Sequence, residues 1–145
     1  TGLAISWGPE TSTDLVVFLQ GGGACWDFVT CGGAMSLGIP KIAATGPFGP
    51  QQFETDIYER YANSWVRRAN LPPSLSDATI VFVPYCTGDV HSGDKVKTYA
   101  FQGLPSITWH HAGHANVLAF LKRLGATFPS PRKLVVAGSS AGGFA

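Results

Sequence analysis

Apolar residues in this chain gather into short unbroken runs rather than alternating ones. Leu15–Leu19, Thr79–Pro84 and Lys133–Ala137 are rich in β-branched residues, and each is followed by glycine or a polar turn. A short apolar run bounded by turns marks a buried strand, and continuous apolarity means that both faces are covered. Strands covered on both faces belong to mostly parallel sheets packed between helices, so the pattern predicts an α/β fold. An earlier strand is expected within Gly2–Trp7, turned by Gly8-Pro9 and the polar stretch Glu10–Asp14 into the run at Leu15 as an antiparallel hairpin.

The helical period is found twice. Over Ala115–Leu124, Val117, Leu121 and Leu124 share one face, Lys122 and Arg123 lie near the end and Gly125 acts as a stop, which predicts a crossover helix between the second and third runs. Over Phe53–Arg68, Phe53, Ile57, Tyr61 and Trp65 recur four residues apart and Pro72-Pro73 ends the pattern. These aromatics are expected to be packing residues. The stretch Cys25–Gln52 is rich in Gly and Pro and follows neither period, so it is expected to be a long loop of the kind that carries function. No internal repeat is visible.

Composition narrows the class. Only 13% of the 145 residues are charged and 45% are hydrophobic, against about 25% charged in a typical soluble domain. That describes one domain, or part of one, with a dense core under a neutral, loop-rich surface, and it excludes disorder and coiled coil. The net charge is +1 and no basic run exceeds Arg67-Arg68, so there is no electrostatic footprint for nucleic acid or anionic lipid. The longest uninterrupted apolar run, Leu15–Leu19, is far short of the roughly 20 residues that span a bilayer. No charged segment followed by an apolar one opens the chain, so a secretion signal is expected to be absent or to lie upstream of Thr1. Cys25 and Cys31, in a Gly-rich segment, suit a small disulfide loop, whereas a zinc site would want four ligands at tighter spacing. This favours an oxidising compartment, secreted or periplasmic. Cys86 is left over, and the odd count hints that part of the chain is absent.

The chemistry concentrates after two of the runs. Gly138-Ser139-Ser140-Ala141-Gly142 matches G-x-S-x-G, follows the run Lys133–Ala137 directly, and leads into Gly142–Ala145 as the start of a helix. The turn that lifts a serine hydroxyl off the end of a strand is too tight for side chains beside it, which explains the flanking glycines and makes Ser140 a candidate nucleophile. Gln20-Gly21-Gly22-Gly23-Ala24 follows the first run in the same way. Acyl transfer builds negative charge on a carbonyl oxygen, and backbone N–H groups in a glycine loop can point at that oxygen unobstructed. A second donor would be the N–H of Ala141, next after the nucleophile. A plain flexible loop is the alternative; a phosphate cradle is disfavoured because no Lys-Ser/Thr pair follows the glycines.

Four blocks together resemble the pectin acetylesterase and Notum group of α/β-hydrolase carboxylesterases: LVVFLQGGGACWDFVTC at 15–31, IVFVPYCTGDVHSGD at 80–94, HANVLAFLKRL at 114–124 and VVAGSSAGG at 135–143. The resemblance implies an α/β-hydrolase fold with helices on both faces of the sheet, Ser140 as nucleophile, and Gly22, Gly23 and Ala141 as the oxyanion hole. It also implies a Cys25–Cys31 disulfide and no cofactor or metal. In the family the position after the first two loop glycines is either aromatic or glycine; Gly23 and Ala24 here leave that part of the pocket small, so the acyl preference does not carry over. Gly46–Asp77 matches the family only loosely.

A serine nucleophile needs a base, and in an α/β-hydrolase the order is Ser, then acid, then His. The four histidines, His91, His110, His111 and His114, all precede Ser140. The expectation is therefore that residues 1–145 are the N-terminal part of a single domain whose C-terminal part supplies the triad His and Asp/Glu, and that Lys133–Ala137 presents an uncovered apolar edge. His110, His111 and His114 are expected at the start of the crossover helix, with His110 and His114 one turn apart; Asp89 and Asp94 are distant in sequence, and no metal site is predicted. Asp89, His91 and Ser92 follow a strand end, where α/β sheets form their ligand crevice, which makes Asp89 and His91, with Trp26 in the Cys loop, the substrate-binding candidates. Alternatively, Asp89 satisfies backbone N–H groups of its own turn. The combined expectation is a secreted serine carboxylesterase acting through an acyl-enzyme on an ester of a carbohydrate polymer. Lipase-like, polyester or protein-deacylating esterases, or an inactive binding protein or fragment, are the alternatives.

Overall fold

The computed structural model describes residues 2–33, 35–38 and 48–145. Part of the expected long loop, residues 34 and 39–47, lies outside the described residues, as does the side chain of Ile57. Four strands form one sheet: β1 (Ala4–Ser6), β2 (Leu15–Leu19), β3 (Thr79–Val83) and β6 (Leu134–Gly138), in the order β1-β3-β2-β6. β2 pairs in parallel with β3 and with β6, while β1 runs antiparallel along β3. The three unbroken apolar runs are thus the three parallel strands.

β1 was expected to pair with β2. With β3 on one side of β2 and β6 on the other, β2 has no free edge, and β1 takes the outer edge of β3. Gly8 makes this possible: a Cβ there would collide with the Asp77 carbonyl, and its N–H donates to Thr79 Oγ1 at 3.0 Å.

The largest fully buried side chains, Phe82, Ile80, Val16 and Val81, all come from β2 and β3, and burial of each contributes about 1.5–3 kcal/mol. On one face, Leu15, Val17, Val81 and Val83 pack against the helix Gly113–Thr127 through Phe120 and Leu124, and against Phe128 just past its end. This is the predicted crossover helix with its bounds and face shifted. It starts at Gly113, runs through Gly125, and leaves Leu121 56% exposed.

The opposite face is covered without a long helix. Over the predicted Phe53–Arg68 helix the chain forms a π-helical turn, Phe53–Tyr58, then turns, then a 3-10 turn, Arg68–Asn70. Phe53, Tyr61 and Trp65 still pack against Phe18 and Phe82, the role their spacing implied. Helical cover on both faces is therefore not what the described residues present. Nor is β6 fully covered: Val135 and Ala137 pack inward, but Leu134 (57%) and Val136 (61%) are exposed on the face that Leu15 and Val17 share with the helix.

A separate antiparallel pair, β4 (Lys95–Phe101) and β5 (Leu104–His111), lies between β3 and the helix in sequence and packs Tyr99, Ile107 and Trp109 against Cys25, Phe28 and Cys31. His110 and His111 are in β5 and only His114 is helical, so the expected helical His110/His114 pair does not form.

Candidate active site

β6 ends at Gly138, and two residues later Ser140 adopts a φ of +51°. A non-glycine residue rarely occupies this left-handed region, because its Cβ crowds the following carbonyl; strain of this kind costs about 1–3 kcal/mol and gathers at functional sites. The surrounding backbone imposes it. Ser139 N–H donates to Leu19 O at 3.2 Å and Gly142 N–H donates to Ser139 O at 2.9 Å, closing a 3-10 turn over Ser140–Gly143. The glycines leave no choice of residue: a Cβ on Gly138 would strike the Gly142 carbonyl, one on Gly142 would strike those of Leu19 and Gln20, and one on Gly21 would strike Ser139 O and Ser140 Cβ. The expected helix is thus one short turn here, and the serine is exposed at its apex.

The glycine loop lies against this turn. Gln20 N–H donates to Val83 O at 3.0 Å, extending the β2–β3 ladder by one residue, and the chain then enters Gly22 (φ 155°) and Gly23 (φ 72°). Gly23 needs the left-handed conformation that glycine alone adopts without cost. Tyr61 O–H donates to Gly21 O at 3.4 Å, and burial raises the Tyr61 pKa above the ordinary 10.0. Gly22, Gly23 and Ala141 are thus on two backbone segments that touch at Gly21 and Ser139–Ser140.

The loop continues into Cys25 and Cys31, which form a disulfide with Cα atoms 4.8 Å apart. Inside that ring, Thr30 Oγ1 accepts from the N–H groups of Trp26 and Asp27 at 3.0 and 3.1 Å, while Thr30 N–H and O–H donate to Asp27 Oδ1 at 2.8 and 2.7 Å. Those donations from Thr30, its backbone N–H first, hold the Asp27 carboxyl below the usual 3.8. The reciprocal turn fixes Trp26 at the loop tip, 63% exposed.

Asp89 and His91, expected at a crevice, turn inward. Asp89 Oδ2 accepts the Gly113 N–H at 2.7 Å, capping the helix from another loop, and Oδ1 accepts from Thr87 Oγ1 at 2.9 Å. His91 is 7% exposed, packs against Tyr85 with ring centroids 4.8 Å apart and the ring planes tilted by 33°, and meets Gln20 O through Nε2 at 2.8 Å. Among the described residues no histidine hydrogen-bonds to Ser140. Cys25, Cys31 and His111 bring possible metal-ligand atoms within 4.8 Å of one another, but the two sulfurs are bonded together and offer no thiolate. Asn116 Nδ2 donates to Cys86 Sγ at 3.8 Å. No helix among the described residues is long and apolar enough to cross a membrane.

Sequence reasoning missed Gln20 and Tyr85. Gln20 Oε1 accepts the Tyr85 N–H at 2.8 Å, and Tyr85 O–H accepts the Val90 N–H at 2.8 Å. A polar residue between a buried strand and a glycine loop was the available signal for Gln20.

The pectinacetylesterase family model matches residues 6–145. The chain is also 30% identical over 131 residues to palmitoleoyl-protein carboxylesterase notum2 of Xenopus laevis, across 88% of this chain and 24% of that protein. It therefore spans about a quarter of the length of that relative. With a family match running over residues 6–145, the chain belongs to the pectinacetylesterase family.

Proposed function

We propose that this chain carries the nucleophile and oxyanion hole of a serine carboxylesterase with an α/β-hydrolase fold. The carrying observation is Ser140, held at φ +51° on a turn that three close backbone approaches make obligatory, with the glycine loop beside it. Ser140 Oγ attacks the ester carbonyl, the N–H groups of Gly22, Gly23 and Ala141 receive the oxyanion, the alcohol departs, and water hydrolyses the acyl-enzyme. The proton passes through a His–acid pair supplied by a segment following Ala145. Uncovered Leu134 and Val136, on the face of the sheet that the helix Gly113–Thr127 covers elsewhere, favour further chain on that side of β6. Residues 1–145 are then the N-terminal part of one domain.

The substrate we propose is an ester of a carbohydrate polymer, with Trp26 offering an exposed ring to a sugar face. The disulfide supports a secreted or periplasmic enzyme. A second reading, removal of a fatty acyl group from a protein, is favoured by the name of the Xenopus laevis relative.

The test is the intact mass of the full-length protein after a fluorophosphonate, with and without Ser140→Ala, alongside hydrolysis of acetyl and long-chain aryl esters. One adduct, lost in Ser140→Ala together with hydrolysis, is expected. No adduct on the wild type, or one that persists in the variant, overturns the assignment.

A further inference from the structure

Gln20 is the last residue before the glycine loop, and three of its polar groups are fixed. Its N–H donates to Val83 O at 3.0 Å, its Oε1 accepts from Tyr85 N–H at 2.8 Å, and its carbonyl meets His91 Nε2 at 2.8 Å with both residues buried. A carbonyl oxygen accepts, so the ring nitrogen facing it carries the hydrogen, which sets the His91 tautomer. The Gln20 carbonyl and the Gly21 N–H belong to one planar peptide unit, so holding the first holds the second. The next peptide is held from the other side, where Tyr61 O–H reaches Gly21 O at 3.4 Å. The same Gln20 carbonyl also borders the nucleophile turn, because it is one of the atoms a Cβ on Gly142 would meet.

Placing a histidine ring there is costly. Val90 (φ 52°) and His91 (φ 62°) are consecutive non-glycine residues in the left-handed region, the first of them β-branched. Such a pair persists only where its surroundings over-determine it. Here the Val90 N–H donates to the Tyr85 hydroxyl oxygen at 2.8 Å, the Tyr85 ring packs at a tilt against the His91 ring, and Ser92 N–H closes the turn on Asp89 O at 3.1 Å.

We propose that His91 is a positioning residue: its Nε2–H on the Gln20 carbonyl sets the peptide planes through which the Gly21–Gly23 loop aims its N–H groups at the oxyanion. The inference rests on the serine esterase reading, and it gives the strained turn at 90–91 a task that packing alone does not. An oxyanion donor acts by where it points, so loosening the loop lowers kcat more than substrate binding.

The experiment compares His91→Asn and His91→Gln with wild type in the full-length protein. Asparagine tolerates the left-handed region, so His91→Asn relieves the backbone strain, but its amide stops short of the Gln20 carbonyl. The amide N–H of glutamine reaches about as far as Nε2. Measured are kcat and KM on an aryl acetate, thermal unfolding, and amide hydrogen exchange at Gly21–Gly23. The expected result for His91→Asn is a kcat lower by about 10²-fold with KM within about two-fold, a Tm lower by no more than a few degrees because the relieved strain offsets part of the lost hydrogen bond, and faster exchange at Gly21–Gly23. His91→Gln restores kcat to within about five-fold. A His91→Asn protein with wild-type kcat and unchanged exchange overturns the proposal, as does a loss that appears in KM or that glutamine fails to rescue. If the wild type neither hydrolyses the ester nor takes up a fluorophosphonate, the esterase reading fails, while the exchange measurement still decides whether His91 orders the loop.

Discussion

Ser140 and the pair Val90-His91 are the non-glycine residues that the described backbone holds at positive φ, and they use the strain in opposite directions. At Ser140 the turn lifts a small side chain into the open, and no described side chain hydrogen-bonds to it. At Val90-His91 the turn drives a ring inward onto a backbone carbonyl, with partners at every step. One turn displays a side chain and the other braces the backbone beside it. Left-handed geometry is therefore no sign of a reactive group by itself. The partners of the strained side chain separate the two uses.

Ser140→Ala should separate them most sharply. Alanine has the same Cβ, so the strain stays and the hydroxyl goes. Ester hydrolysis should fall by at least about 10⁴-fold with Tm unchanged, read from initial rates and thermal unfolding of the full-length protein. Gly142→Ala should damage both quantities, since its Cβ lands on the Leu19 and Gln20 carbonyls. A stability loss of about 3 kcal/mol, with most activity lost as Ser140 shifts, is the expected outcome in denaturant unfolding.

The same contrast explains what was legible in the sequence. The nucleophile turn was readable because its signature is local in sequence: Gly138 and Gly142 stand two residues on either side of Ser140, although the backbone that Gly142 must clear, at Leu19 and Gln20, comes from β2 and the glycine loop. The parallel strands were readable because β2 and β3 are buried on both faces and form unbroken apolar runs that include several β-branched residues. The brace was not readable, because Gln20, Tyr85 and His91 are far apart in sequence and only the β2–β3 pairing brings them together. The helix start escaped for the same reason, since its cap is Asp89 rather than a neighbour of Gly113. The β4–β5 hairpin did carry a local signal, the pair Gln102-Gly103 with Gly103 at φ 80° between the cross-strand partners Phe101 and Leu104. One face of that hairpin is largely exposed, so its apolar pattern is weak.

Tyr85→Phe tests the brace through pH. Burial pushes the Tyr85 pKa up to about 12, from an ordinary 10.0, because the phenolate is poorly solvated there. A group with a raised folded pKa contributes stability that is complete below its unfolded value and lost as pH climbs through the folded one. The wild type should therefore lose stability more steeply than Tyr85→Phe between pH 10 and about 12. At neutral pH the variant should be less stable by about 1–2 kcal/mol, since the Val90 N–H loses its acceptor. Parallel slopes in unfolding measured against pH would remove Tyr85 from the brace.

The smallest effect should have the opposite sign. In Val90→Gly the β-branched Cβ that resists φ 52° is gone, which releases about 1–3 kcal/mol of strain. Glycine gives back up to about 1 kcal/mol of that through the larger conformational freedom of the unfolded chain. The net expectation is a gain of about 1 kcal/mol, visible as a Tm higher by a few degrees. Yet the turn that presses His91 onto Gln20 becomes freer to move, so kcat should fall a few-fold while the protein becomes more stable. The two signs together are the test, since a residue that only packed would move stability and rate in the same direction. At Ser140, where the turn displays rather than braces, Ser140→Gly should relieve strain in the same way but abolish hydrolysis outright.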